Sequence, residues 1–507
     1  MALQEAARAI DGTTPAALAA LAAGLDEAST AELADMAIAA ARFVPATDAA
    51  TRSMDLDAVL APPVHDAWCT REAAHEARIL LERIPACEDV VAHVLETYIR
   101  PIFRKAAERA RVQASGRAVP GARHPVWDDD VETWDDAQIV GGHPARGAPN
   151  VLAWCVATLG RTDAGAWERL WPHLVPPIMV LLDAPGARAK LLGACVAGNL
   201  LDPQAPASVP ASLLHRTGLA ALLGDALTSA LHHMTDAEYG APLLSAAIRA
   251  RRGLATILYP DVDATADAFD AHARLFSEGV LAALSYCAPP SASAPAQRAS
   301  PGTALGSARL QQALAGTAAR WALVLCTDLG TPVLRFWNAY MDWATGWLSQ
   351  AFAGCESLAC PPRRGLSEVV TEITEGEQGE QEVIDAPDWA TAGAVLVASV
   401  EACVRSACTL THLAAQADRE QQTVATLRLP AQLPGLAAWS EQLVCASARC
   451  YVRLSELSLD ANAAASVASL KDALHALCTA LLAADPILTT ALGALHSEPR
   501  LRPLFTT

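Results

Sequence analysis

From Trp167 to Leu201 the chain reads WERLWPHLVPPIMVLLDAPGARAKLLGACVAGNLL, a nearly uncharged apolar run that carries Pro172, Pro176 and Pro177. A proline inside a helix removes a hydrogen-bond donor and presses its ring on the preceding turn, costing about 3 kcal/mol. Propensity alone leaves short helices marginal in water, so such a stretch needs neighbours whose packing offsets the loss. The run stops at Asp183 and restarts beyond Pro185, which divides it into two helices, WPHLVPPIMVLL and RAKLLGACVAGNLL. The prolines bend the first helix. In the second, Gly193, Ala194, Ala197 and Gly198 allow close approach to neighbours. Asp183 can cap the tight turn, and Lys190 can offer a cation to a neighbouring turn.

The same organisation runs the length of the chain. Apolar residues make up 52% of the 507, and Ala and Leu dominate over Val, Ile, Tyr and Phe, a balance that suits helices rather than strands. Helical periodicity appears in TPAALAALAAGL and TAELADMAIAAARFV, each with Ser or Thr near its start, and strengthens from Thr70 to Arg111, where Pro101 should kink or end the helix. The expected fold is all-α: an α-solenoid of HEAT-like antiparallel helix pairs, each burying its apolar face against its neighbours. We read a helical N-terminal region over residues 1–112, a long Gly/Pro/Trp/Asp-rich loop over 113–150 and a HEAT-like core over 151–287. A Pro/Ser/Ala linker over 288–303, a helical pair over 304–353, an acidic insertion expected to be mobile over 354–389 and C-terminal helical repeats over 390–507 complete the chain.

Charge narrows the function classes. With 37 Lys and Arg against 55 Asp and Glu the net charge is −18, which repels phosphate backbones and anionic lipid. The largest basic patch is Arg249, Arg251 and Arg252, so neither nucleic acid nor membrane is an expected partner. The start, MALQEAARAIDGTT, is broken by acids where a signal peptide needs an apolar core, and no uncharged apolar run reaches membrane-spanning length, so a soluble intracellular protein is expected. Thirteen cysteines, most within apolar helical patterns, read as buried thiols in a reducing compartment. Cys355 with Cys360, Cys403 with Cys408 and Cys445 with Cys450 share a five-residue spacing, a rotation of about 140° that turns the second thiol away from the first.

No P-loop, dinucleotide fingerprint, HExxH, GxSxG or kinase set is present, and no catalytic residue, metal site or cofactor is assigned. The one cluster with possible chemistry is His124, Asp128, Asp129, Asp130, Asp135, Asp136 and His143, in a Gly/Pro loop where consecutive aspartates ordinarily form a solvated surface. In that loop Trp127 and Trp134 either anchor it on the helices or form a hot spot for a partner. Leu334, Trp337, Tyr340, Met341 and Trp347 recur at helical spacing and read as core.

These residues also resemble one family, the Tel two-interacting protein two family. Its Pro-x-Phe run followed by a small hydroxyl residue and Gly-Arg is matched by Pro101, Phe103, Ser115, Gly116 and Arg117. Trp154, Trp171-Pro172, Pro176-Pro177, Asp183, Lys190 and Gly193 follow in the family's order, then Thr217-Gly218-Leu219 and, more faintly, Asp328-Leu329-Gly330. Coverage is best over about Ile99 to Leu258. Two departures stand out: Ala184 occupies the second acid of the inter-helix turn, and the Pro-Trp-Lys near the long loop is not intact in HPVWDDDVETW.

The resemblance implies a noncatalytic cochaperone adaptor of the TTT complex, associated with the ASTRA complex. Its implied partners are the other two TTT subunits, the larger HEAT-repeat subunit most directly, and Hsp-ninety with its AAA+ adaptor complex. Its implied clients are phosphatidylinositol-3-kinase-related kinases, and its location cytoplasmic and nuclear. Trp127, Trp134, Trp171, Pro176, Pro177, Asp183 and Lys190 are the candidate partner-binding residues. The competing readings are a general helical-repeat or transport scaffold and a helical hydrolase using the Asp/His loop.

Overall fold

The computed structural model describes residues 28–46, 71–103, 147–236, 238–260, 266–287, 301–352, 389–424, 436–457, 461–484 and 497–505, with single positions 16, 18, 25, 488 and 495. Among the described residues every regular element is a helix. The chain forms two compact units, Met1–Gly279 and Val280–Thr507.

The first unit holds α1 (Thr30–Ala41), α2 (Arg71–Arg83), α3 (Glu88–Val94), α4 (Ala148–Leu159), α5 (Gly165–Asp183), α6 (Ala187–Leu200), α7 (Ala211–Thr217), α8 (Leu219–Leu231), α9 (Gly240–Leu258) and α10 (Ala266–Arg274). Ser29 starts α1 through a capping box: its hydroxyl accepts from the Glu32 N–H, and the Glu32 carboxylate accepts from the Ser29 N–H at 3.0 Å. The Ser29 N–H and the Ser29 hydroxyl, which donates to the same carboxylate at 2.8 Å, hold the Glu32 carboxyl below its usual pKa. Buried Asn150 ties the start of α4 to the end of α1, donating to the Arg42 carbonyl at 2.8 Å and accepting from the Ala46 N–H at 3.0 Å. α6 packs against α5, α4 and α9, and α8 against α9, around one apolar core that runs from α1 to α9.

After α3 the helix continues in π-helical register over Leu95–Ile99 and stays helical through Pro101 to Phe103. It does not end at Pro101. That residue lacks the N–H that would reach the Thr97 carbonyl, and the preceding turn has already shifted register, with the Arg100 N–H donating to the Leu95 carbonyl. The small basic patch is neutralised in part: Arg249 lies 3.8 Å from Asp202 and Arg251 lies 3.0 Å from Glu278.

The second unit holds α11 (Ala282–Tyr286), α12 (Pro301–Leu329), a 3-10 turn (Thr331–Phe336), α13 (Trp337–Gln350), α14 (Trp389–Val424), α15 (Leu436–Glu456), α16 (Ala461–Ala484) and α17 (Arg502–Phe505). α14 packs between α12 and α16, and α13 against α15. Leu334, Trp337, Tyr340, Met341 and Trp347 are all buried, as their spacing predicts. The Tyr340 hydroxyl meets the Ser406 hydroxyl, which donates to the Ala402 carbonyl at 2.8 Å. Arg453 of α15 closes the end of α13 by donating to the Ser349 and Ala351 carbonyls, both at 2.9 Å.

Residues Ala464–Ala484 of α16 are long and apolar enough to cross a bilayer by length and composition, with mean hydropathy 1.4. Here that helix carries Lys471 and Asp472, and Val467, Leu470, Leu474, Leu477 and Leu481 are buried.

Gly330 breaks α12 from the 3-10 turn at φ 60°, ψ −146°, a region open essentially to glycine alone. Gly330→Ala is expected to cost about 1–3 kcal/mol. Urea unfolding checks it, and a loss no larger than that of an exposed mid-helix substitution would contradict the assignment.

Within the five-residue cysteine pairs, Cys403 and Cys450 are buried while Cys408 and Cys445 are half-buried, as the helical rotation requires; Cys355 and Cys360 lie outside the described residues. Burial pushes the Cys195 and Cys326 thiols up to about 12 and raises Cys155 and Cys403 still further. At neutral pH these buried thiols are expected to resist alkylation in the folded chain, with the half-buried Cys87, Cys408 and Cys445 reacting ahead of them among the described cysteines. Mass-spectrometric mapping after brief iodoacetamide treatment checks this, and early label on Cys195 or Cys403 would count against it.

Candidate partner-binding site

The opening run folds as α5 and α6. α5 begins at Gly165, six residues before the expected Trp171, so all three prolines are interior to one helix. They strip the i−4 donors that would serve the carbonyls of Glu168, Pro172 and His173. Burial of Trp167, Leu170, Trp171, Leu174, Ile178, Leu181 and Leu182 offsets the loss. Trp167 adds a buried bond, its indole N–H donating to the Ala207 carbonyl at 2.8 Å.

The turn to α6 is made by Ala184, which leaves helical geometry at ψ 144° and is buried at 1% exposure, in the place of the family's second acid. Lys190 reaches back across the turn. Its ammonium Nζ donates to the Leu182 carbonyl at 2.7 Å, one of the last carbonyls of α5 that no helical N–H can serve. Burial pushes the Lys190 pKa below its usual value, and the Asp183 carboxylate opposes that shift. Gly193 completes the close fit: a Cβ there would stand 3.0 Å from Leu181 Cβ and from the Leu182 backbone N.

The structure therefore divides the residues singled out from sequence. Pro176 and Asp183 are exposed; Trp171, Pro177 and Lys190 are buried in the hairpin; Trp127 and Trp134 lie outside the described residues, as do His124, Asp128–Asp130, Asp135, Asp136 and His143. Among the described residues no group of three or more His, Cys, Asp or Glu is placed to hold a metal. His232 is exposed and His233 half-buried at the end of α8. Burial lowers the pKa of His233, with the Lys190 charge adding to the effect.

What remains available on α5 is a stripe the sequence did not single out as a unit. Pro172, Pro176, Met179 and Asp183 recur at three- and four-residue intervals; all are exposed except Met179, which is half-buried. The carbonyls of Glu168 and Pro172 lie along the same stripe. Beside it, Arg169 forms a two-pronged ion pair with Glu88 that holds the Glu88 carboxyl below its usual pKa, and Arg216 meets Glu168 at 2.8 Å. The charges at the start of α5 are thus satisfied within the unit, leaving an apolar strip closed by one carboxylate.

These features define a helical-hairpin protein whose distinctive residues build and present a surface. A family model confirms the kinship: the chain belongs to the Tti2 family, which matches residues 58–330, just over half of its length. No curated protein and no solved structure matches the chain. The match spans α2 to α12 and ends on Gly330. Several family positions now have physical reasons: Lys190 closes α5, Gly193 admits α6, and Gly218 at φ 69° joins α7 to α8.

Proposed function

We propose that this chain is a noncatalytic scaffold of the TTT complex, a cochaperone adaptor that helps phosphatidylinositol-3-kinase-related kinases mature. The observation that carries the reading is the Tti2 family match over residues 58–330. The packed helix pairs α5–α6 and α8–α9, both resting on neighbours, support a HEAT-like solenoid as the form of the scaffold. In this reading the other two TTT subunits are its direct partners, the larger helical-repeat subunit foremost, and the α5 stripe of Pro172, Pro176, Met179 and Asp183 is a contact face. Hsp-ninety and its AAA+ adaptor complex act on the clients thus delivered, in cytoplasm and nucleus.

Depletion of the chain tests the proposal. Steady-state levels of the kinases should fall while their messenger RNAs stay constant, and re-expression should restore them. Unchanged kinase abundance after complete depletion would reject this function and favour a scaffold serving other cargo.

A further inference from the structure

In the second unit α13 ends without a glycine. Ala351 leaves helical geometry at φ −52°, ψ 133°, and Phe352 follows at φ 58°. Those are the dihedral angles that lead through a type II turn, whose second central position ordinarily takes Gly. At positive φ a side chain's Cβ crowds the backbone, and Phe352 is the only non-glycine residue in that region among the described residues. Two features hold it there. Phe352 is buried, at 3% exposure, and Arg453 reaches across from α15, its Nη1 donating to the Ser349 and Ala351 carbonyls, both at 2.9 Å. Earlier carbonyls are served within α13: the Ala351 N–H donates to the Trp347 carbonyl at 2.9 Å, and the Ser349 hydroxyl to the Thr345 carbonyl at 2.7 Å. The Ser349 and Ala351 carbonyls instead draw their donor from another helix, where a glycine-ended helix would draw it from its own next residues.

We propose that Ala351–Phe352 is a sprung latch, a strained turn with two states that Arg453 holds closed. When the guanidinium leaves the two carbonyls, Phe352 relaxes to negative φ and its ring passes from the core to solvent. The opening is local, because the strain sits at one residue and the lock is one side chain. The packing of α14 between α12 and α16 does not run through the turn and stays as it is. This device belongs to the second unit and does not depend on which complex the chain joins.

Isotopic phenylalanine labelling of the full chain, read by NMR, tests the latch. The sequence holds seven Phe, so the spectrum is short, and the peak lost in Phe352→Leu assigns residue 352. In the parent its Cα shift should be that of a positive-φ residue. Arg453→Met keeps the apolar stem and removes the donors; the Phe352 resonance should then move to the shift of an ordinary negative-φ residue while the others hold their places. Hydrogen exchange followed by mass spectrometry should quicken about tenfold or more in the peptide that carries Gly346–Phe352 and stay at the parent rate in α14 and α16. Arg453→Lys, which keeps a donor, should fall between. An ordinary Phe352 shift in the parent, a Phe352 resonance unmoved in Arg453→Met, or exchange as slow as the parent's overturns the proposal, leaving packing alone to fix the turn. Movement of all seven resonances with an early melt overturns it too, by making Arg453 a support of the whole unit.

Discussion

Gly253→Ala is expected to destabilise the first unit by about 3 kcal/mol, the upper range for forcing atoms into a packed interface. A Cβ at this position would stand 2.0 Å from the Leu201 carbonyl oxygen and 3.0 Å from its carbon. Both are backbone atoms, so no side chain can rotate out of the way. α9 would have to withdraw from the end of α6, loosening Leu200, Leu201 and Leu254, all buried in the shared core. Gly224→Ala on α8 is the matched control, because its Cβ would meet only Leu254 Cδ2, at 3.8 Å. There the ordinary helix preference for alanine should prevail, with a gain of about 0.5–1 kcal/mol. Urea unfolding followed by circular dichroism compares the two, and similar effects of both substitutions would contradict the close approach of α6 and α9.

Lys190→Ala should cost about 3 kcal/mol as well. It removes a charge-assisted bond to a buried carbonyl, leaves the Leu182 oxygen without a partner and deletes an apolar stem from the α5–α6 hairpin. Lys190→Met keeps the stem and should cost less. The two variants together separate capping from packing. Proton linkage supplies a second signature. Burial lowers the folded-state pKa of Lys190 below its ordinary 10.5, while Asp183 raises it and His233 lies close enough to feel its charge. Between the folded pKa and 10.5 the unfolded chain binds the proton that the folded chain has released, so stability from this residue rises with pH through that window. It is least favourable below the folded pKa, where both states are charged. The stability of the parent relative to Lys190→Met should therefore increase as pH is raised toward 10.5; a constant or shrinking gap would show that the ammonium is not desolvated.

Much of the helical layout was legible because it is local. Ser29 ahead of TAELADMAI announces the α1 cap, and the Trp337 to Trp347 spacing announces the buried face of α13. The start of α5 was not legible. It lies ahead of Pro172 because Trp167 is held by Ala207, forty residues on, and no periodicity reports such a bond. The π-helical turn before Pro101 was hidden for a related reason, since a change of register leaves the apolar spacing nearly intact. For the site, the cation expected from Lys190 serves the turn of its own hairpin, where the residue is enclosed, whereas Asp183, expected to cap that turn, stays exposed and the start of α6 has no side-chain cap bond; neither outcome could be read from a hairpin taken alone. Arg453 meets the Ser349 and Ala351 carbonyls from a distant part of the chain, a juxtaposition that only tertiary packing creates.

Native mass spectrometry of the tagged full chain, purified from the cells that make it, tests most directly whether its work is to hold other proteins. The proposal predicts a stoichiometric assembly with two further subunits, one of them a larger helical-repeat protein. Recovery of the chain alone, or only with copies of itself, would contradict it.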